Sequence, residues 1–520
     1  MPDRHAGSHA ENHADSERVS RADSQAGSHA GNHADSESAS RADSADSHAG
    51  SHAENHADSR RDSQAESRAG SHADNHSERH TDRRRTTPGS DHGSDRGTRP
   101  GRRRTPRPTP PALRRRLPDP REFAPLMHFR RPTLDVTERR LATAADVWDL
   151  RRIAKRRTPT PAFDYVDGAA EEEISIARAR AAYRDVVLHP RVLRDVTDVD
   201  LGTEIFGRHW TMPFMIAPTG FTRFMHSEGE YAGSAAAADR GIGFGLSTMG
   251  TASVEDVARN APDGDNWFQL YLWKDRDASM ALIHRAWEAG YRTLMVTVDT
   301  AVAGARLRDV RNGMSIPPQL TLKTVVDAAY RPAWWFNFLT REQLSFASLS
   351  RHSGPVAELI NTMFDPTLTF DDLDWLRKEW PGNLVCKGLQ SVEDTQRVLE
   401  HGVDGVILSN HGGRQLDRAP VPLHLLPAVR EAVGPDVTIG VDTGIMDGAD
   451  VIAAVSQGAD FCLIGRAYLY GLMAGGRRGV DKVLDLFEES MTRTMQLMGV
   501  HSVGELTPEA VTLGEGGDVR

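Results

Sequence analysis

Gly405-Val406-Ile407-Leu408-Ser409-Asn410-His411-Gly412-Gly413-Arg414-Gln415 begins as a short apolar run and ends as a polar, glycine-rich loop. A run this short, apolar throughout and stopped by a loop, is the pattern of a strand buried on both faces of a parallel sheet. Seven further runs share the pattern: Phe214–Ala217, Gly243–Ser247, Trp267–Tyr271, Thr293–Val298, Leu384–Lys387, Thr438–Asp442 and Phe461–Gly465. Helical patterns separate them. Ser227-x-x-Glu230 reads as a capping box, with Ser253-x-x-Asp256 and Ser391-x-x-Asp394 as close relatives. Gly241, Gly290, Gly402 and Gly458 stand where helices should close. Eight such units between residues 212 and 466 specify an α/β fold, a closed (β/α)8 TIM barrel. An open doubly wound sheet would need a glycine loop leaving a strand. The run Gly241-x-Gly243-x-Gly245 instead enters one.

Working outward, residues 113–211 read as an N-terminal helical extension with a small β element that plugs the barrel base, and 481–499 as a final helix. Residues 112–510 thus form one domain, and 511–520 a disordered tail. Residues 1–111 hold almost no large apolar side chains and cannot offset their chain entropy, so they are expected to be a disordered low-complexity arm. Within it AGSHAENH at 6–13 recurs, with small changes, at 26–33, 49–56 and 69–76. The repeats lack the apolar positions a solenoid stacks on. Their i, i+4 His pairs could hold a metal on a helix, but a solvated tail is the simpler reading. The stretch 83–116 turns basic and Pro-rich, as a linker would.

The 520-residue chain carries a formal net charge of −10, which argues against a general nucleic-acid binder. Its two cysteines, Cys386 and Cys462, lie in apolar runs and read as buried thiols of a reducing cytoplasm. No apolar run is long enough to span a membrane, and the N-terminus lacks the apolar core of a secretory signal.

In a barrel, functional side chains gather at the C-terminal ends of the strands, and here those ends are polar. His411 and Arg414 on one Gly-rich loop supply a base and an anion clamp. Asp299, ending the fourth barrel strand, could hold the imidazole, and Arg306 in the next loop could add a second guanidinium. A base with two guanidiniums suits a small carboxylate oxidised or deprotonated at the neighbouring carbon. The last two strand ends offer Gly444, Gly465 and Arg466, where barrels commonly bind phosphate. Lys387 could stabilise an electron-rich ring in the mouth. Without a metal cluster or second nucleotide loop, bound flavin mononucleotide (FMN) is the economical electron carrier.

The stretch Ser409–Asp417, with Phe163-Asp164-Tyr165, Ile216-Ala217-Pro218-Thr219, Phe268-Gln269-Leu270-Tyr271 and Thr297-Val298-Asp299-Thr300, resembles the FMN-dependent 2-hydroxy-acid dehydrogenases and oxidases. The resemblance runs from about Ala144 to Leu506 and is nearest to bacterial quinone-linked L-lactate dehydrogenases. It implies FMN as cofactor and a small L-2-hydroxy acid as substrate, with L-lactate oxidised to pyruvate. It implies that His411 takes the hydroxyl proton, Asp299 pairs with it, and Tyr271 bonds the substrate oxygen. Arg414, Arg306 and Tyr165 would hold the carboxylate. Pro218, Thr219, Gly220, Ser247, Gln269, Thr297, Lys387 and Ser409 would face the flavin and ribityl chain, and Asp442, Gly444, Gly465 and Arg466 its ribityl and phosphate end. A quinone or other acceptor and a homotetramer are further implications. Three positions depart from the pattern. Many relatives carry an Arg where Met446 stands; Met249 replaces a Trp of glycolate oxidase; Gly220 replaces an Ala of several oxidases.

Between Asn312 and Thr369 lies an insertion far longer than ordinary loops. Its Arg331–Leu339 segment, rich in Trp and Phe, could make peripheral membrane contact at the inner face of the cell membrane and meet a quinone. Burial of these rings is the alternative. Other readings are an oxygen-using oxidase or monooxygenase, a peptide-cofactor maturase, a non-redox FMN barrel, which would lack the His411/Arg414 pair, and a metal buffer built on the arm.

Overall fold

The computed structural model describes residues 117, 119–126, 133–313, 326–327, 329–341 and 364–514. The repeats of 1–111, the basic linker and most of the insertion fall outside them. The described residues belong to one compact unit, 115–520.

The strands, in chain order, are β1 (Val187–Leu188), β2 (Thr203–Ile205), β3 (Arg208–Trp210), β4 (Phe214–Ile216), β5 (Gly243–Ser247), β6 (Asp265–Leu270), β7 (Thr293–Thr297), β8 (Asn383–Leu389), β9 (Gly405–Leu408), β10 (Thr438–Val441), β11 (Phe461–Ile464) and β12 (Val511–Thr512). Strands β4 to β11 form a closed parallel barrel, β11 pairing back onto β4. All eight expected runs are barrel strands, with ends shifted by at most two residues. They read clearly because each is buried against helices outside and the apolar filling of the barrel inside. Helices Val136–Leu141, Val147–Arg157, Thr160–Asp167 and Ile174–Arg184 precede the barrel.

Two apolar layers result. One lies between strands and helices. The other fills the barrel, where Trp210, Trp267 and Phe461 pack with ring centroids 5.5–5.7 Å apart. Trp210 comes from the β2–β3 hairpin, which closes the barrel floor as expected. The plug explains part of the glycine run. A Cβ at Gly243 would lie 2.5 Å from the Trp210 ring, and one at Gly245 2.8 Å from Pro218. Gly241 (φ +62°) ends a helix, as do Gly290, Gly402 and Gly458, each with positive φ.

Ser253 and Ser391 cap their helices, accepting from the N–H of Asp256 and Asp394 at 3.1 Å. Two expectations need correction. The Ser227 capping box does not form. Glu230 turns into the core, accepting from the Thr251 N–H and hydroxyl, both at 2.6 Å, and its helix starts at Gly229 without a side-chain cap. A buried carboxylate with two donors there outweighs a cap. The chain beyond 510 is not wholly a tail, because β12 pairs antiparallel with β1, 187 with 512 and 188 with 511. Val511 is buried, and its carbonyl accepts from the Gln457 amide at 3.1 Å. A two-residue strand has too little alternation to be read from sequence. The final helix runs Arg477–Met498, starting four residues earlier than expected.

Candidate active site

The C-terminal ends of the barrel strands open onto a cavity of about 400 Å³. Tyr165, Tyr271, Arg306, His411 and Arg414 line it. So do Pro218, Thr219, Gly220, Ser247, Gln269, Thr297 and Lys387, and at the far end Asp442, Gly444, Gly465 and Arg466. Asp299 and Ser409 stand one layer behind, almost wholly buried.

Backbone geometry sets the base. His411, Gly412 and Gly413 are all left-handed, with φ of 60°, 65° and 71°. A Cβ at Gly412 would lie 2.6 Å from the Arg466 guanidinium, and one at Gly413 2.9 Å from the Ile176 amide, so only glycine fits. His411 itself carries strain of about 1–3 kcal/mol in that conformation. Three contacts hold it: Asp299 Oδ1 is 2.9 Å from His411 Nδ1, the Tyr271 hydroxyl is 3.4 Å from Nε2, and the His411 N–H donates to Ser409 Oγ at 2.9 Å. Asp299 Oδ2 is buried with no hydrogen-bond partner among the described residues. Gly388 (φ +111°), at a bulge in β8, makes room for this carboxylate, since a Cβ there would lie 2.7 Å from Asp299 Cγ. Burial keeps the Tyr271 phenol well above its ordinary pKa, so it stands as a proton donor.

Opposite the imidazole, Arg414 and Arg306 lie over the Tyr165 ring, 4.9 and 5.7 Å from its centroid. Arg414 donates to the carbonyls of Tyr165 and Gly168 at 2.6 and 3.1 Å. Burial, together with repulsion from Arg306, pushes its pKa down to about 9. Arg306 Nε is buried without a hydrogen-bond partner among the described residues. Two crowded guanidiniums, held by carbonyls and a ring and sharing the nearby Asp309 carboxylate, form a site suited to a carboxylate.

Deeper in, Lys387 Nζ lies 3.0 Å from both Ser409 Oγ and Asp442 Oδ2, and Ser409 donates to Asp442 at 2.9 Å. Burial would raise the Asp442 carboxyl, but the Lys387 ammonium beside it holds it below the usual range. Gln269 donates to Thr297 Oγ1 and accepts from Ser247 Oγ, both at 3.0 Å. Thr219 bonds the Tyr468 hydroxyl. Two of the departures touch: a Cβ at Gly220 would lie 2.8 Å from Met249 Cβ, so the missing methyl makes room for Met249.

Sequence reading missed the outer wall. Trp148, Arg151, Asp167, Glu173, Arg180, Arg308 and Tyr470 also line the cavity. Asp167 accepts from Arg151 at 2.5 Å and Arg308 at 2.8 Å, and Arg308 also bonds Glu173, tying the loop after β7 to the N-terminal helices. Scattered charges on amphipathic helices carry no periodic signal that would mark them.

A family profile described as FMN-dependent dehydrogenase matches residues 154–513. The chain belongs to the FMN-dependent dehydrogenase family. A protein of Mycobacterium tuberculosis named "Putative L-lactate dehydrogenase" is 58% identical over 401 residues, 77% of this chain and 97% of that protein. The L-lactate dehydrogenase of Pectobacterium atrosepticum is 38% identical over 370 residues, 70% of this chain and 95% of that one. Among solved structures, the monotopic membrane protein (S)-mandelate dehydrogenase superposes with a TM-score of 0.69 at 37% identity, covering 71% of this chain and all of that one. This dehydrogenase is therefore an FMN-dependent 2-hydroxy-acid oxidoreductase. Its cavity suits the cofactor: a buried ammonium (Lys387) and amide (Gln269) face it, and Gly220 and Gly444 present bare backbone.

Proposed function

We propose that this enzyme oxidises L-lactate to pyruvate and passes the electrons to a membrane quinone. One observation carries the reading: a carboxylate-backed imidazole and two guanidiniums share the mouth of one cavity. Arg414 and Arg306 bind the substrate carboxylate, which fixes the α-carbon and turns its hydroxyl towards His411. His411 Nε2 accepts the hydroxyl proton, while Asp299 accepts from Nδ1–H and stabilises the imidazolium. The Tyr271 phenol donates to the substrate oxygen. Bound FMN supplies the two-electron acceptor. Lys387, held by Ser409 and Asp442, would place positive charge beside the ring; Pro218, Thr219, Gly220, Ser247, Gln269 and Thr297 would seat it, and Gly444, Gly465 and Arg466 would receive the phosphate end. Lactate is favoured as substrate by the relatives named for it.

The test is steady-state turnover of L-lactate, D-lactate, glycolate and (S)-mandelate, with a quinone analogue or with oxygen. The expected result is highest kcat/KM for L-lactate with the quinone and little hydrogen peroxide. Peroxide matching turnover in air would make the protein an oxidase instead.

The quinone reading draws on the insertion. In helix Pro332–Leu339, Trp334 stacks on Phe338 at 4.9 Å, meets Phe224 edge-on and donates to the Phe224 carbonyl at 3.1 Å. Phe336 and Leu339 are 68% and 70% exposed, and nearby Tyr330 82%. Trp334, Trp335 and Phe338 pack together and anchor the helix, while Phe336, Leu339 and the nearby Tyr330 are free to enter a lipid interface. No helix among the described residues is long and apolar enough to cross a membrane. The exposed apolar groups of this helix support the reading of a peripheral seat at the inner face of the membrane. The protein is expected to co-sediment with anionic liposomes, and Phe336→Asp with Leu339→Asp to release it while turnover with a soluble acceptor persists. Absence of lipid-dependent sedimentation by the parent protein would end this part of the reading.

A further inference from the structure

Barrels bind phosphate in the loops after their last two strands, and here those loops are short of charge. Met446 lines the cavity beside Gly444, and Arg466 spends its Nε and one Nη on the carbonyls of Val166 and Gly168, at 3.0 and 2.7 Å. Another guanidinium reaches the same end. Arg180, from helix Ile174–Arg184, donates to the Gly444 carbonyl and to Asp450 Oδ2, the latter at 2.7 Å, and its side chain is only 14% exposed. Its Nε is buried with no hydrogen-bond partner among the described residues. The head group is further fixed over Trp148, 5.6 Å from the ring centroid. Asp450 also accepts from the Met446 N–H at 2.8 Å, so one carboxylate locks Arg180 to the loop that carries Met446. Gly444 (φ +93°) packs so closely on this helix that a Cβ would lie 3.2 Å from the Ala179 backbone.

We infer that Arg180 is a cofactor-binding residue that supplies the second positive charge for the FMN phosphate, in place of the arginine absent at 446. The inference rests on the FMN site proposed above. A phosphate monoester carries close to two negative charges, and a preorganised guanidinium is the side chain best suited to it. A purely structural role is the rival: Arg180 could do no more than tie helix to loop through Asp450.

Charge selectivity separates the two. Full-length protein freed of flavin is titrated with FMN and with riboflavin, which lacks the phosphate, and the ratio of the two dissociation constants is read from flavin fluorescence. Arg180→Met is expected to lower FMN affinity about 20-fold or more and riboflavin affinity less than about 2-fold. Adding Met446→Arg to that variant is expected to recover most of the FMN affinity. Unchanged FMN binding by Arg180→Met, or an equal loss for both flavins, would overturn the inference. Should Arg180→Met fail to fold, Arg180→Lys keeps the charge but loses the fork and is expected to lower the FMN-to-riboflavin preference about threefold; an unchanged preference would overturn the inference equally. Wild-type protein that takes up neither flavin would defeat the parent site reading instead.

Discussion

His411→Gln protein is expected to purify with its full complement of FMN and to reduce it with L-lactate roughly 10⁴-fold more slowly than wild type, the upper end of what a positioned base contributes. The loss is specific to proton transfer. Glutamine can still donate to Asp299, but nothing at that position then accepts the hydroxyl proton. The flavin contacts proposed above lie elsewhere, on Lys387, Gln269, Ser247 and Thr297, so cofactor content should not fall. Stopped-flow absorbance with a flavin assay on the same preparation reads both quantities. A variant that keeps more than about a tenth of the wild-type reduction rate would remove His411 from the role.

Arg414→Met has the second-largest expected effect, and it falls on substrate rather than cofactor. Truncating one partner of a buried charge pair costs about 2–5 kcal/mol, or roughly 30- to 4000-fold in kcat/KM at about 1.4 kcal/mol per decade. FMN affinity should stay within about 3-fold of wild type, because the proposed cofactor contacts lie on other residues. Burial and repulsion from Arg306 both disfavour the Arg414 charge, a cost that a bound carboxylate relieves. Affinity for an unreactive dicarboxylate such as oxalate is therefore expected to fall in Arg414→Met in parallel with kcat/KM. A variant with wild-type KM and kcat would contradict the carboxylate role.

Some of this arrangement was legible in sequence for physical reasons. Barrel strands must be apolar on both faces, so β4 to β11 stood out as short continuous runs, and the polar groups at their ends had no packing purpose. Gly241, Gly290, Gly402 and Gly458 were readable because only glycine closes a helix in the left-handed region without strain. What stayed hidden depends on distance along the chain. Arg180 meets Gly444 and Asp450 across more than 260 residues. Asp417, in the quoted signature, turns back to accept from the Ser175 N–H at 2.8 Å, at the start of helix Ile174–Arg184. Glu230 forsook a cap for a buried bond to Thr251. The link between Gly220 and Met249 is a steric pairing that neither residue announces alone.

The account stands most directly on the optical spectrum of the purified full-length protein, mixed anaerobically with L-lactate. A yellow protein is expected, its flavin band bleaching with L-lactate and persisting with D-lactate. A colourless protein that takes up no FMN, or a flavin that stays oxidised with every 2-hydroxy acid offered, would contradict it.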